Sequence, residues 1–238
     1  PEVLERAVFA NTAVDRIVPT ADPADGLDVR VEPFCEWAIE SGPFGDAVPS
    51  IPGAHFVDEL APYIERKLFT VNTGHATSAY LGRAAGHEFV HGAIADPAVR
   101  AGVVAALEET SRLLVLRHGF DPSVQDAYRA TALERFANAA LADPVTRVGR
   151  QPLRKLSRHE RFIEPATALA EAGVEPVGLL AAIGAALRFR ANDDPESLAL
   201  AERLATESAP QVVASVMGIE AGHPLFDALV GVVGAARG

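Results

Sequence analysis

Three polar residues with side chains suited to proton transfer lie within one short stretch of the chain: Lys67, Asn72 and His75. A polar group on the buried side of a helix costs free energy unless it is hydrogen-bonded or used in chemistry. Desolvation also disfavours the ammonium form of a lysine, which favours the neutral amine that can accept a proton. The stretch is therefore a candidate site for chemistry.

The element that must position these residues is a helix. At about 100° per residue, His75 falls within an apolar stripe on one face, and Lys67 and Asn72 flank that stripe. The apolar residues of the stripe are Ile64, Leu68 and Val71. The residues predicted to point the other way are Glu65, Arg66 and Thr70. The sequence thus predicts that the three candidate residues face the buried side.

Two kinds of pattern divide the chain into a strand-containing segment, 1–50, and a helical domain, 51–238. Apolar and alternating residues over 8–18 and 27–32 predict two short strands joined by a turn at 21–26. Two strands do not make a stable sheet alone, so we expect them to belong to a larger sheet or to pack on the helices. The sequence therefore predicts a mainly α, multi-helical domain with a few N-terminal β-strands left from a larger sheet.

Four Asp-Pro pairs predict where helices begin, because Asp accepts from free N–H groups as the N-cap and Pro fits the first turn. The pairs are Asp96-Pro97, Asp121-Pro122, Asp143-Pro144 and Asp194-Pro195. Each carboxylate is predicted to accept hydrogen bonds from the free N–H groups at the start of the helix that follows it.

Composition excludes several classes of partner. The net charge of −11 argues against nucleic acid, which would need a basic face. No apolar run approaches the roughly 20 residues that a membrane span needs. The one cysteine, Cys35, cannot form an internal disulfide; we expect a packed thiol and a reducing, cytoplasmic location. Because the chain has no initiator Met and starts almost directly at a predicted strand, we expect it to be truncated.

The helix at 64–76 resembles the polyol-specific long-chain dehydrogenases. Further motifs agree in the same order along the chain: 11–19, 32–34 with 37–40, Arg135-Phe136 followed by Asn138, and 147–157. The resemblance covers nearly the whole chain. One departure is local, since family members often have proline after Asn138, where this chain has Ala139.

The resemblance implies a role for each of the three candidate residues of the helix, in a reaction that needs no metal. Lys67 would be the general base in alcohol oxidation and the acid in carbonyl reduction. Asn72 would donate to the oxygen whose charge changes, and His75 would orient the substrate hydroxyl. Asp15 would lie near the substrate hydroxyls, although an ion pair with Arg16 is an equally good interpretation.

The resemblance also implies NAD as the cofactor, bound mainly by a dinucleotide-binding domain ahead of this chain. The sequence contains no strand followed by a Gly-rich turn of the right spacing, and the glycines of 231–238 do not provide one. The chain would then be the C-terminal catalytic and substrate-binding part of an oxidoreductase. We expect it to have no dehydrogenase activity without the missing N-terminal domain.

A basic segment in this acidic protein is the best candidate for binding substrate. It contains Arg147, Arg150, Arg154 and Lys155. Arginine matches a phosphate with bidentate hydrogen bonds and lysine adds a point charge, which favours a sugar or polyol phosphate. The resemblance places Arg147 and Lys155 at substrate-contacting positions and makes Arg154 a feature of the phosphate-ester branch. The alternative is a basic loop paired with surface carboxylates.

Three other functions stay open. A dehydrogenase for an unphosphorylated polyol or a sugar acid would need Arg150 and Arg154 not to bind phosphate. A zinc hydrolase could use His87, Glu88 and His91, because H-E-x-x-H on a helix places two imidazoles one turn apart. A non-catalytic binding module would keep the fold without needing the lysine.

Overall fold

The structure is a computed structural model, and it describes residues 7–19, 26–29 and 31–237. The predicted turn at 21–26 lies almost entirely outside these residues. Contacts divide the chain into two compact units, Pro1–Lys67 and Leu68–Gly238. Over the part of the chain that is described, no helix is both long and apolar enough to span a bilayer.

The first unit contains a three-stranded mixed sheet with strand order β1-β2-β3. Its strands are β1 (Thr12–Asp15), β2 (Glu36–Glu40) and β3 (Ala54–Val57). β1 and β2 are antiparallel, with Val14 opposite Trp37. β2 and β3 are parallel, with Ala38 opposite His55. Cys35, just before β2, is exposed, so the prediction of a packed thiol is wrong.

The strand predicted at 27–32 is not formed in its described residues, and β1 pairs with β2 instead. The Arg16 guanidinium donates to the carbonyls of Glu32 and Phe34, at 3.1 Å each. The Glu32 carboxylate in turn accepts from the backbone N–H of Ile17. Side-chain hydrogen bonds thus satisfy backbone groups that a strand ladder would otherwise pair.

One helical run carries the candidate residues from the first unit into the second. It consists of α1 (Ala61–Arg66), a π-helical turn (Lys67–Asn72) and α2 (Thr73–Ala84). In a π-helical turn each N–H bonds to the carbonyl five residues earlier, so the side chains after it are rotated relative to a continuous α-helix. A prediction of side-chain directions that assumes 100° per residue is therefore wrong for the residues that follow this turn.

The predicted orientation of the helix is wrong at three positions. Ile64 is exposed, whereas Arg66 and Thr70 are buried. Arg66 forms an ion pair with Glu36 of β2, and the Thr70 hydroxyl accepts from the Gln125 side-chain amide at 3.0 Å. Polar partners, which the apolar pattern does not report, explain why these two residues are inside.

The other α-helices described all lie in the second unit. They are α3 (Val90–Ala95), α4 (Pro97–His118), α5 (Pro122–Phe136), α6 (Val145–Gly149), α7 (Pro152–Lys155), α8 (Ile163–Glu171), α9 (Val177–Arg188), α10 (Pro195–Thr206), α11 (Ala209–Met217) and α12 (Phe226–Ala235). The prediction of a mainly α fold with a few strands is confirmed.

The core of the second unit is built around α4, which packs against α2 and α9. Gly178, at the start of α9, permits the close approach, because a Cβ there would lie 2.6 Å from the backbone nitrogen of Ala106. The Glu109 carboxylate of α4 accepts from the N–H groups of Gly178 and Leu179, at 2.7 and 2.8 Å. These contacts fix α9 at its positive, N-terminal end.

Two of the four predicted Asp-Pro caps are confirmed. Asp96 and Asp121 each accept from two backbone N–H groups at the start of α4 and α5. For α6 the N-cap is Pro144, and the Asp143 side chain forms no cap; Asp194 stands at the N-cap of α10 without a side-chain cap bond. The carboxylates of Asp143 and Asp194 have partners elsewhere in the second unit.

Candidate active site

Within the first unit, Lys67 is half-buried and its ammonium group donates to the carbonyl of Val14 in β1. The next residue of that strand is Asp15, whose exposure is 3%. Lys67 therefore lies against the strand that carries the predicted substrate-binding aspartate. The roles assigned to both residues stay predictions.

In the second unit, Asn72 and His75 lie at the end of the π-helical turn and in the first turn of α2. Both are half-buried. The His75 ring stacks on the buried ring of Phe136, with a centroid separation of 5.2 Å and an interplanar angle of 6°. This contact fixes the plane of the imidazole. The structure does not test the predicted roles of Asn72 and His75.

Asp143, which the sequence predicted only as a helix cap, contacts two of the predicted site residues. Its Oδ2 lies 3.1 Å from Nε2 of His75, and its Oδ1 accepts from the Arg147 guanidinium. Burial opposes ionisation of the carboxyl, but His75 and Arg147 outweigh it, so the pKa of Asp143 lies below its usual range. The spacing of four residues between Asp143 and Arg147 was the one signal available in the sequence.

Lys155 is buried and holds the basic segment together from inside. Its ammonium group donates to the carbonyls of Val148, at 2.7 Å, and Arg150. Burial, reinforced by the charges of Arg161 and Arg154, lowers the pKa of Lys155 to about 7. Two donors of the ammonium are therefore used within the segment.

Three further contacts fix the backbone of this segment. The Tyr80 hydroxyl of α2 donates to the carbonyl of Gly149 at 3.0 Å. Gly149 also packs closely on Phe189, since a Cβ would lie 2.5 Å from that ring. The Asp194 carboxylate accepts from the N–H of Gln151 at 2.9 Å, a residue in the left-handed region at φ 60°. Strained backbone of this kind is common at binding sites.

The other two arginines of the segment are exposed and paired with carboxylates. Arg150 contacts Asp193, and Arg154 contacts Glu160 at 2.6 Å. These contacts are those of the alternative interpretation, a basic loop paired with surface carboxylates. Arg147 differs, because its Nε is buried and has no hydrogen-bond partner among the described residues.

The H-E-x-x-H sequence does not form the geometry that a zinc hydrolase requires. His87 and Glu88 precede α3, which begins at Val90 and so contains only His91. His87 instead lies 3.2 Å from the Asp96 carboxylate. Within residues 7–19, 26–29 and 31–237, no group of three or more potential metal ligands is found.

A dinucleotide pyrophosphate needs a strand that leads through a glycine-rich turn into a helix. Within the ranges that the structure describes, β3 leads to α1 through 58–60, which contains no glycine. The connection between β3 and α1 is therefore not a glycine-rich turn of the kind that binds a pyrophosphate.

Comparison with known proteins identifies relatives over almost the whole chain. Residues 59–221 match the family model of the mannitol dehydrogenase C-terminal domain, and residues 3–53 match that of the mannitol dehydrogenase Rossmann domain. The mannitol-1-phosphate 5-dehydrogenase of Paenarthrobacter aurescens is 59% identical over 94% of this chain and 58% of its own length. That of Alternaria alternata is 49% identical over 98% of this chain and 60% of its own length. The chain thus spans about three fifths of these relatives.

Solved structures share the fold. The ternary complex of Pseudomonas fluorescens mannitol 2-dehydrogenase with NAD and D-mannitol has a TM-score of 0.73 and 24% identity, over 99% of this chain and 52% of that one. A D-sorbitol dehydrogenase in substrate-free form has a TM-score of 0.72 and 21% identity, over 99% of this chain and 53% of that one. With the C-terminal domain matched over residues 59–221 and close relatives along nearly its full length, the chain belongs to the mannitol dehydrogenase family.

Proposed function

We propose that this chain is the catalytic and substrate-binding part of an NAD-dependent polyol-phosphate dehydrogenase that interconverts mannitol 1-phosphate and fructose 6-phosphate. The observation that carries the proposal is the relatives named mannitol-1-phosphate 5-dehydrogenase, which are 49–59% identical over 94–98% of this chain. The match to the Alternaria alternata relative covers 98% of this chain, so the aligned region includes all the candidate residues.

Lys67 is the general acid/base of the proposed reaction. During oxidation the neutral amine takes the proton of the substrate hydroxyl, and during reduction the ammonium returns it. NAD supplies the hydride chemistry when it is bound. Support for this role comes from the half-buried position of Lys67 and from its contact with the strand that carries Asp15.

Asn72 and His75 act on the oxygen of the reacting carbon. The Asn72 amide donates to that oxygen as its negative charge grows. His75 orients the hydroxyl, and its stacking on Phe136 supports this role because the ring plane is already fixed. Preorganised groups of this kind need no rearrangement when substrate binds.

The basic segment binds the phosphate and the polyol hydroxyls in this proposal. The Arg147 side chain is 37% exposed, so its guanidinium can donate to a substrate oxygen. Arg150 exchanges the exposed carboxylate of Asp193 for the phosphate, which costs little because exposed ion pairs contribute little free energy. Arg154 exchanges the half-buried carboxylate of Glu160, which also pairs with Arg161.

A dehydrogenase for an unphosphorylated polyol is the second candidate. The observation that favours it is the pairing of Arg150 with Asp193 and of Arg154 with Glu160. In that case both arginines only stabilise the loop. Substitution would then affect mannitol 1-phosphate and mannitol equally.

The two candidates are separated by substrate kinetics of the full-length protein that carries this chain. We expect NADH formation with mannitol 1-phosphate to exceed that with mannitol in kcat/KM. Arg150→Ala or Arg154→Ala should lower kcat/KM for the phosphate ester by about 10- to 100-fold, the value of one or two charge-assisted hydrogen bonds. Arg203→Ala on α10, which removes an exposed pair with Glu207, is the control. Equal losses for both substrates would support the second candidate.

A further inference from the structure

We infer that Asp143 is a positioning residue that sets the tautomer of the His75 ring and holds Arg147 beside it. The inference rests on the proposed function and extends it to a residue that does not touch the reacting atoms. Asp143 has 3% exposure, and each of its two oxygens faces a different predicted site residue.

The backbone around Asp143 is fixed on both sides. The Asp143 carbonyl accepts from the N–H of Val90 at 2.9 Å, and the N–H of Val145 donates to Glu88 at 2.9 Å. Ala142, just before it, adopts the left-handed conformation at φ 44°. A non-glycine residue there stores strain. The strained residue directly precedes Asp143, whose carboxylate does not cap α6 and instead faces His75.

The orientation of the imidazole is fixed as well. Phe136, on which His75 stacks, has 2% exposure. Gly74 leaves room for that ring, because a Cβ at this position would lie 2.8 Å from Phe136 Cε2. With the ring in this plane, Nε2 faces Asp143.

This arrangement decides which nitrogen carries the hydrogen. A neutral imidazole has one N–H, and an ionised carboxylate only accepts hydrogen bonds. Nε2 lies 3.1 Å from Oδ2. Oδ2 has no hydrogen bond of full geometry among the described residues, and its negative charge favours the tautomer that carries the hydrogen on Nε2. Nδ1 is left as an acceptor, which is the form that can receive the hydrogen of a substrate hydroxyl.

The same carboxylate neutralises and orients Arg147. One guanidinium nitrogen donates to Oδ1, and the buried Nε has no hydrogen-bond partner among the described residues. An asparagine at position 143 would keep its oxygen toward Arg147, because the guanidinium only donates. Its NH₂ group would then face His75 and donate to Nε2. Asp143→Asn is therefore predicted to reverse the tautomer of His75.

Ring-nitrogen NMR of the 238-residue chain with isotope-labelled histidine tests the inference directly. His75→Gln identifies the His75 signals. At a pH where imidazoles are neutral, we expect Nε2–H in the wild type and Nδ1–H in Asp143→Asn. Asp121→Asn, a matched Asp-Pro position that caps α5, should leave the His75 signals unchanged. Nδ1–H as the main wild-type form would overturn the inference, and this measurement does not depend on the folding of any variant at 143.

Kinetics of the full-length protein tests the proposed function separately. Asp143→Asn should lower kcat/KM for mannitol 1-phosphate by about 10- to 100-fold, as losses of residues that orient a functional histidine do. If the tautomer reverses and kcat/KM stays unchanged, Asp143 still positions His75, and the proposed role of His75 in the reaction is wrong.

Discussion

Lysine occurs only twice in this sequence, at 67 and 155, while arginine supplies the other positive side chains. Both lysines have contacts that a surface charge would not have. Lys67 donates to the carbonyl of Val14, and Lys155 donates to two carbonyls from a buried position. At the residue scale, the two lysines are therefore the side chains whose charge state matters most.

The pKa of Lys155, lowered by burial to about 7 from its ordinary value of 10.5, predicts a pH dependence of stability. Between these values the unfolded chain binds a proton that the folded chain does not, so the free energy of unfolding should rise with pH. The slope should approach about 1.4 kcal/mol per pH unit.

Urea unfolding of the wild type and Lys155→Met at several pH values between about 7 and 10 measures this effect. The methionine variant keeps the stem of the side chain without the amine, so the rise should be absent. Equal slopes for the two proteins would contradict the account of Lys155.

Single residues show where sequence reasoning succeeds and where it stops. Asp96 and Asp121 could be predicted because a cap is made with neighbouring N–H groups. Asp143 and Asp194 share the same local pattern, yet their partners lie far along the chain, at His75 and Gln151. A local pattern cannot specify a partner that only tertiary folding brings near.

At the element scale, the π-helical turn between Lys67 and Asn72 is the main difference from the expected helix. Its backbone is supported by Thr73, which is fully buried. The Thr73 hydroxyl lies 3.0 Å from the carbonyl of Leu68 and 2.8 Å from that of Arg161. Such turns are frequent at functional sites.

Thr73→Val keeps the shape of the side chain and removes the hydroxyl. We expect the free energy of unfolding to fall by about 1–3 kcal/mol, because a buried carbonyl loses its donor. Thr206→Val is the control, since Thr206 makes a similar bond to Glu202 at an exposed position. Denaturant unfolding of both variants measures the difference, and equal small effects would show that Thr73 does not support the turn.

The elements differ in how well the sequence predicts them. The helices were predictable from caps and amphipathic spacing, which are local. The strand expected at 27–32 was not, because Arg16 and Glu32 satisfy backbone groups there with side chains. The sheet instead uses β2, whose residues Ala38 and Ile39 are buried.

At the scale of the whole molecule, the composition indicated an acidic protein and the residue patterns predicted a mainly α fold, which the structure confirms. The proposed dehydrogenase depends most on the chemistry of Lys67. Lys67→Ala in the full-length protein removes the proposed general acid/base and leaves the residues of the basic segment in place.

The most direct test measures kcat for oxidation of mannitol 1-phosphate by wild type and Lys67→Ala, with and without an added primary amine. We predict a loss of about 10²–10⁴-fold, the usual contribution of a general acid or base, and partial recovery when the amine is present. A variant that oxidises mannitol 1-phosphate within a few-fold of the wild-type rate would contradict the assignment of Lys67 as the general base.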